Sequence, residues 1–307
     1  MHRIVVIANP SASQFTGGAH RDIMSLLGKR AEVEAIWPGT PSDAEARSAR
    51  AAGAGAEIVI AMGGDGIVHH VAQGLIGTDA ALGIIPAGTT NVVARLLGIP
   101  SKPLKAARVA LEGSIQSVGT VEMTLSRGSV ETTHHAVFAC GIGLDASVVV
   151  EADKDPYKKY RFGSIHYATT ALKVGLRDFP RRKPDVTITI GSEHELVTAA
   201  QVQFREIYTY FGAIPVRLDP HPPDPMTLLT LGRLHRRRVP RILLTLLRQG
   251  SLDSIPEMHT YLNVERFDFE AAETIAAQAD GEPLGLVDGG AIRWSPDSLR
   301  VIAPQSP

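Results

Sequence analysis

Ala61-Met62-Gly63-Gly64-Asp65-Gly66-Ile67-Val68-His69-His70 decides the reading of the fold. The run before it, Glu57-Ile58-Val59-Ile60-Ala61-Met62, is almost continuously apolar, the pattern of a parallel strand buried on both faces. After it, Val68, Val71, Ala72 and Leu75 fall on one face of a helix. Strand, glycine turn and helix in that order aim the first backbone N–H groups of the helix at an anion, and Gly63, Gly64 and Gly66 let the chain turn sharply and approach a ligand closely. Asp65 is the anomaly. A carboxylate among phosphates is repelled unless it holds a metal ion, takes a proton from an attacking hydroxyl, or both, which points to phosphoryl transfer rather than a plain dinucleotide clamp. The competing reading is a tight loop with Asp65 as a helix N-cap.

A second unit follows at Leu82-Gly83-Ile84-Ile85-Pro86-Ala87-Gly88-Thr89-Thr90-Asn91-Val92-Val93-Ala94-Arg95, again an apolar strand, a glycine turn and a helix. Consecutive βα units carry both turns to the carboxyl-end edge of a parallel sheet, where such folds bind ligands, so the two turns are placed to share one nucleotide. Ile4 to Ala8 reads as the first strand, and Asn9-Pro10-Ser11-Ala12-Ser13 as a loop able to dock a phosphate or simply to connect strand and helix. Val33 to Trp37 is a second strand, and Thr40 before Pro41 reads as a helix N-cap. Helices at about 41 to 54, 67 to 76, 90 to 97 and 103 to 112 then alternate with four strands, a doubly wound α/β domain.

From Val118 the texture is β-rich, with strands expected at 118–125, 131–139, 186–190, 196–204, 227–231, 258–264, 266–270 and 275–279. Alternation such as Val186-Thr187-Ile188-Thr189-Ile190 is that of an antiparallel sheet with one wet face, which implies a second domain built as a β-sandwich. One helical insertion is expected at 157 to 179, lining a lipid entrance or covering a sheet edge. The last strands are expected at 291–294 and 299–303, and a family resemblance carried by the motifs of this chain implies that they return to the first domain. The division expected is therefore 1–117 with 290–307, and 118–289.

A chain of 307 residues has room for two domains, and 44% hydrophobic residues suffice for two cores. A net charge of −1 and a pI near 6.8 speak against a nucleic-acid binder. The single cysteine, Cys140, fits the cytosol and a place in the core. With no apolar run near the length of a membrane span, and Met1-His2-Arg3 leading straight into a strand, a cytoplasmic protein is expected. His69 and His70 lack the spaced partners of a zinc site. Two basic runs, Arg181-Arg182-Lys183 and Arg233 through Arg236-Arg237-Arg238 to Arg241 ahead of Ile242-Leu243-Leu244, read either as solvated faces or as contacts to an anionic membrane surface.

These motifs together resemble the diacylglycerol kinase catalytic-domain family, which includes soluble bacterial lipid kinases and is related to sphingosine kinases. The resemblance is carried by Gly63-Gly64-Asp65-Gly66, by Pro86-Ala87-Gly88-Thr89-Thr90-Asn91 with Ala94-Arg95, and by Leu97-Gly98-Ile99-Pro100. Asn9 to Ser13, Gly141-Ile142-Gly143-Leu144-Asp145-Ala146 and Asp280-Gly281-Glu282 match further signatures in the same order. The sequence departs from the pattern at Ile67, where threonine is usual, at His70, where glutamate is common, and at Val92, where an aspartate often follows the asparagine.

The resemblance implies an ATP- and Mg2+-dependent lipid kinase, with diacylglycerol as first acceptor, a sphingoid base or other glycerolipid as second, and a catalytically weak lipid-binding homologue as the alternative. It implies nucleotide contacts from Asn9, Pro10, Ser11, Ala12, Ser13, Thr40, Gly63, Gly64, Asp65, Gly66, Ile67, Val68, His69, Thr89 and Asn91. Glu282 is implied as the general base, with Asp65 as rival base or metal-holding partner. His221, Asp224 and Met226 are implied as a metal site, though Pro225 stands where the family has glycine. Peripheral contact with the inner face of the membrane is expected, and oligomeric state is left open between monomer and homodimer.

Overall fold

The apolar runs of the first 120 residues become strands in parallel register. In the computed structural model, which describes residues 2–154, 164–177, 179–211, 214–218, 225–248 and 252–305, the chain divides into two compact units, 1–120 with 295–307, and 121–294.

The first unit runs β1 (His2–Ala8), α1 (Gly17–Leu27), β2 (Ala31–Ile36), α2 (Pro41–Gly53), β3 (Ile58–Gly63), α3 (Asp65–Gln73), β4 (Ala81–Pro86), α4 (Val92–Leu96) and α5 (Pro103–Glu112). β1 pairs in parallel with β2 and with β3, and β3 with β4. The sheet is completed by Val301, near the end of the chain, which pairs in parallel with Leu82 of β4. Every residue of β4 and all but the first of β3 are buried, as strands covered by helices on both faces require. The order β2-β1-β3-β4 places the reversal of direction between β1 and β3. At such a switch point the loops leaving the two strands part to opposite faces and open a crevice above their carboxyl ends. The turns at Asn9 and Gly63 both leave from that edge.

The second unit is antiparallel. It comprises β5 (Ser114–Arg127, which enters it from the first unit), β6 (Val130–Ala136), β7 (Ala139–Ile142), α6 (Leu144–Asp153), α7 (Ser164–Arg177), β8 (Val186–Ile190), β9 (Glu193–Val197), β10 (Ala199–Gln203), β11 (Thr209–Phe211), β12 (Ile214–Val216), β13 (Met226–Leu231), α8 (Val239–Leu247), β14 (Met258–Val264), β15 (Arg266–Ala279) and β16 (Glu282–Ala303, which leaves for the first unit). β15 and β16 form one long hairpin whose register breaks between Glu270 and Ile275. Beyond the break, residues 275–279 continue a sheet β14-β13-β10-β7-β15. Before it, residues 266–271 pair with β8, which pairs β9, while β16 pairs β5 and β5 pairs β6. One strand pair thus feeds two sheets. Their inner faces share a core in which Val121, Met123, Ile188, Phe267, Phe269 and Ile292 meet Cys140, Val202, Leu228 and Ala277. This is a β-sandwich, and the fold is α/β plus β.

The boundaries differ from the sequence expectation in instructive places. Residues 131–139 divide into β6 and β7 because the N–H groups of Val137 and Phe138 bond the Asp280 carboxylate instead of a neighbouring strand. Residues 196–204 divide at Thr198, whose hydroxyl donates to Leu231 O at 2.9 Å. The pairs 266–270 with 275–279, and 291–294 with 299–303, are each parts of one strand. Of the helix expected at 157–179, α7 covers Ser164–Arg177, and residues 157–163 lie outside those described.

Candidate nucleotide-binding and catalytic site

Three turns leave the carboxyl ends of β1, β3 and β4, and backbone hydrogen bonds sew them together. Asn9 N donates to Met62 O (2.9 Å), Ala87 N to Gly63 O (2.8 Å) and Gln14 N to Ala87 O (2.8 Å). Glycine makes the contact between the second and third turns possible, since a Cβ on Gly88 would stand 2.5 Å from the Cα of Gly64; within the second turn, one on Gly63 would stand 2.6 Å from Ile67 Cγ2. Asn91 closes the third turn in the left-handed region, φ 51° and ψ 56°, which asparagine tolerates better than other residues with a side chain. Its Oδ1 accepts from Gly88 N (3.0 Å) and its Nδ2 donates to Gly88 O (2.8 Å).

Asp65 is the first residue of α3, and Gly64 takes the N-cap position, so Asp65 does not cap its own helix. Its Oδ1 accepts a long bond, 3.4 Å, from Val93 N at the start of α4. The carboxylate therefore bridges the two glycine turns. No side chain caps the first turn of α3, so its amides and the positive end of its dipole face the crevice above the sheet. Ile67, Val68 and His69 are buried, and Val68 N donates to Gly64 O (3.3 Å) within the first turn of the helix. In the first loop the Asn9 carboxamide accepts from Ser11 N (2.9 Å), Pro10 and Ser11 are exposed, and Ala12 is half-buried. Ser13 Oγ is buried without a hydrogen-bond partner. Thr40 caps α2 by accepting from Asp43 N (3.1 Å) and keeps an exposed side chain at the end of β2; Thr89 is exposed on the third turn.

This donor set fits a triphosphate and a hard cation. The turns meet where a Cβ would not fit, an uncapped helix start faces the same edge, and the Asp65 carboxylate there is an oxygen donor of the kind a hard divalent cation takes. His221 and Asp224 lie outside the described residues, and Met226 is fully buried at the start of β13. Among the described residues no group of three histidine, cysteine or acidic side chains is placed to hold a metal.

Glu282 belongs to the second unit and opens β16. Ala279 pairs with Glu282, so Asp280 and Gly281 form a two-residue hairpin loop. Both have positive φ, 55° and 79°, the conformation of a type I′ turn and the reason for an Asp-Gly pair. Asp280 is only 4% exposed. Its oxygens accept from the N–H groups of Val137 (2.8 Å), Phe138 (2.8 Å) and Ala139 (3.1 Å), and its own N–H donates to Ala139 O (2.7 Å). The Arg205 guanidinium, pushed down by burial and held up by the charge of Asp280, donates from Nε to Val137 O (3.1 Å). A second anchor was not evident from sequence: Gln278, Asp145 and Tyr208 are joined by hydrogen bonds. Burial raises the Asp145 carboxyl above its ordinary range and, together with the Asp145 charge, pushes the Tyr208 phenol well up. The readable signal was Asp280-Gly281 between two β runs; the partners of Asp145 carried none.

The diacylglycerol kinase catalytic domain family matches residues 3–123, which contain all three turns. Over that segment the chain is similar to the diacylglycerol kinase catalytic domain. A diacylglycerol kinase of Mycobacterium tuberculosis (strain ATCC 25618 / H37Rv) is 27% identical over 238 residues, 76% of this chain and 74% of its own. A diacylglycerol kinase of Bacillus subtilis (strain 168) is 48% identical over 60 residues, 19% of this chain and 20% of its own. A solved structure from Bacillus anthracis str. Sterne matches with a TM-score of 0.75 at 20% identity, covering 98% of this chain and 97% of its own, which establishes a shared fold.

The Gly64–Gly88 contact sets the distance between the second and third turns. Gly88→Ala is expected to weaken ATP binding by about tenfold or more and to cost about 1 to 3 kcal/mol of stability, the usual penalty of overpacking. Isothermal titration of ATP, with urea unfolding as the control, checks it.

Proposed function

We propose that the protein transfers the γ-phosphate of ATP to the hydroxyl of membrane diacylglycerol, giving phosphatidic acid, with a sphingoid base or another glycerolipid as the next acceptor. The observation that carries the reading is Asp65, whose carboxylate accepts from Val93 N where two glycine turns meet. A carboxylate there is costly beside phosphates unless it takes part in their chemistry.

In this reading the first unit takes the nucleotide and the second the lipid. The Asn9–Ser13 loop, the 63–66 turn and the Thr89–Asn91 turn hold the triphosphate, and Thr40 meets the nucleotide at the end of β2. Asp65 is the residue to hold Mg2+. When bound, the ion supplies charge neutralisation at the β- and γ-phosphate oxygens. Glu282 accepts the proton of the acceptor hydroxyl. The hydroxyl oxygen then bonds to the γ-phosphorus as the bond to the β-phosphate oxygen breaks and ADP leaves. Proton acceptance is worth about 100- to 10,000-fold in such steps. Asp224 and His221, with Met226, stand as a further site for the ion.

The acceptor resides in a bilayer, and no helix among the described residues is long and apolar enough to cross one. In this reading the protein meets its acceptor at the cytoplasmic face of the membrane. Arg236 and Arg237 are exposed, beside a cavity of about 650 Å3 that His235, Arg238 and Glu257 also line. α8 follows directly, with Leu244 47% exposed. Arginines ahead of an exposed leucine are suited to an anionic leaflet, at about 1 kcal/mol for each basic residue near the surface.

Two experiments check this function. With radiolabelled ATP and mixed lipid micelles, label should appear on diacylglycerol. Asp65→Asn and Glu282→Gln should each lower the rate by about 100-fold or more with ATP binding largely kept. Label on no lipid, with ATP still bound, would instead favour a lipid-binding homologue, and turnover without lipid a kinase for a soluble acceptor. Separately, replacing Arg236, Arg237 and Arg238 by glutamate should weaken sedimentation with phosphatidylglycerol-containing vesicles about tenfold or more at unchanged melting temperature. Unchanged sedimentation rejects the docking face.

A further inference from the structure

Gln278 lies in β15, two residues before the Asp280-Gly281 turn, and is 1% exposed. Both ends of its carboxamide are engaged. Oε1 accepts the N–H of Gly281 at 2.9 Å, and Nε2 donates to Asp145 Oδ2 at 2.6 Å, with the Tyr208 hydroxyl at 3.4 Å. Tyr208 donates to the same Asp145 oxygen. Asp145 stands in the first turn of α6, an element well removed in sequence from the hairpin. On the other side of the same turn, the Asp280 carboxylate grips the amides of 137–139.

An Asp-Gly pair needs neither anchor to turn, since its backbone preference for positive φ closes a two-residue hairpin by itself. A Cβ on Gly281 would meet nothing within 4 Å, so close packing does not wedge that side of the tip. What the two anchors add is a fixed direction for the residue that emerges from the turn, and that residue is Glu282.

We infer that Gln278 is a positioning residue for the transfer: by tying the Gly281 amide to Asp145, it sets the direction in which Glu282 presents its carboxylate. The inference builds on the reading of Glu282 as the base. Misplacing a reacting group by about 1 Å costs about 100-fold in rate, so loosening the turn is felt in kcat rather than in nucleotide affinity. A glutamine that merely satisfied buried polar groups would be felt in stability instead.

The test is a double-mutant cycle in the full-length protein, with Gln278→Met, Glu282→Gln and the pair, reading kcat on diacylglycerol micelles, KM for ATP and melting temperature. Gln278→Met is expected to lower kcat by about 10- to 100-fold, with KM for ATP within about twofold. Added to Glu282→Gln it is expected to cost nothing further, because the group it steers is already gone. The inference is overturned if Gln278→Met keeps the wild-type kcat, or if it lowers the rate by the same factor with and without Glu282. A Glu282→Gln protein at full rate removes the base assignment itself, a result distinct from either. Where Gln278→Met does not fold, Gln278→Asn serves the same cycle, keeping the amide but being one methylene too short to reach both partners.

Discussion

Three backbone hydrogen bonds, from Asn9 to Met62, Ala87 to Gly63 and Gln14 to Ala87, hold the first unit's ligand edge in one piece. Each ties a turn to its neighbour across a sheet whose strands are buried on both faces. The alternative partner for those groups is water, which a ligand would have to displace. The close approach of Gly64 and Gly88 follows from this seam: the turns are drawn together until only hydrogen fits between them. Asp65 then finds itself between two helix starts rather than on an isolated loop, and its carboxylate belongs to both. The chemistry assigned to the site depends on that shared position more than on any single side chain.

The second unit solves a different problem with the same economy. Its long hairpin β15–β16 bends at a register break and supplies strands to two sheets, so one core can stiffen the whole unit. The hairpin's far end carries Asp280, Gly281 and Glu282. Buried side chains fasten that end from two sides, Asp280 to the 137–139 amides and Gln278 to Asp145. Burying charged and polar groups is costly unless every one is paired, and here the pairs converge on a single turn.

Much of this was legible in the sequence because its causes are local. A continuous apolar run bounded by glycine is a buried strand, so β3, β4 and the turns after them could be placed from residues 57–95 alone. The alternation of Val186 to Ile190 announced a one-sided sheet, and Thr40 before Pro41 its helix start. Asp280-Gly281 between two β runs was readable as a turn, but the burial of Asp280 was not, since its partners lie 141 to 143 positions away. Gln278 and Asp145 are 133 positions apart, and although Asp145 lies within a family signature, nothing local to either residue announces the bond between them. The same non-locality split the strand expected at 131–139: Val137 and Phe138 look like strand residues until Asp280 claims their N–H groups. The α1 cap at Thr16 went unread because Gly17 and Gly18 dilute the helical pattern that follows it.

The central claim is that the three turns form one phosphate cradle. Amide hydrogen exchange with and without ATP and Mg2+ tests it most directly, because it reports each turn separately and needs no lipid. The account predicts that nucleotide slows exchange in segments 9–14, 63–67 and 87–93 together, over the same range of concentration. Protection confined to one of the three, or appearing elsewhere while all three stay unchanged, would contradict it.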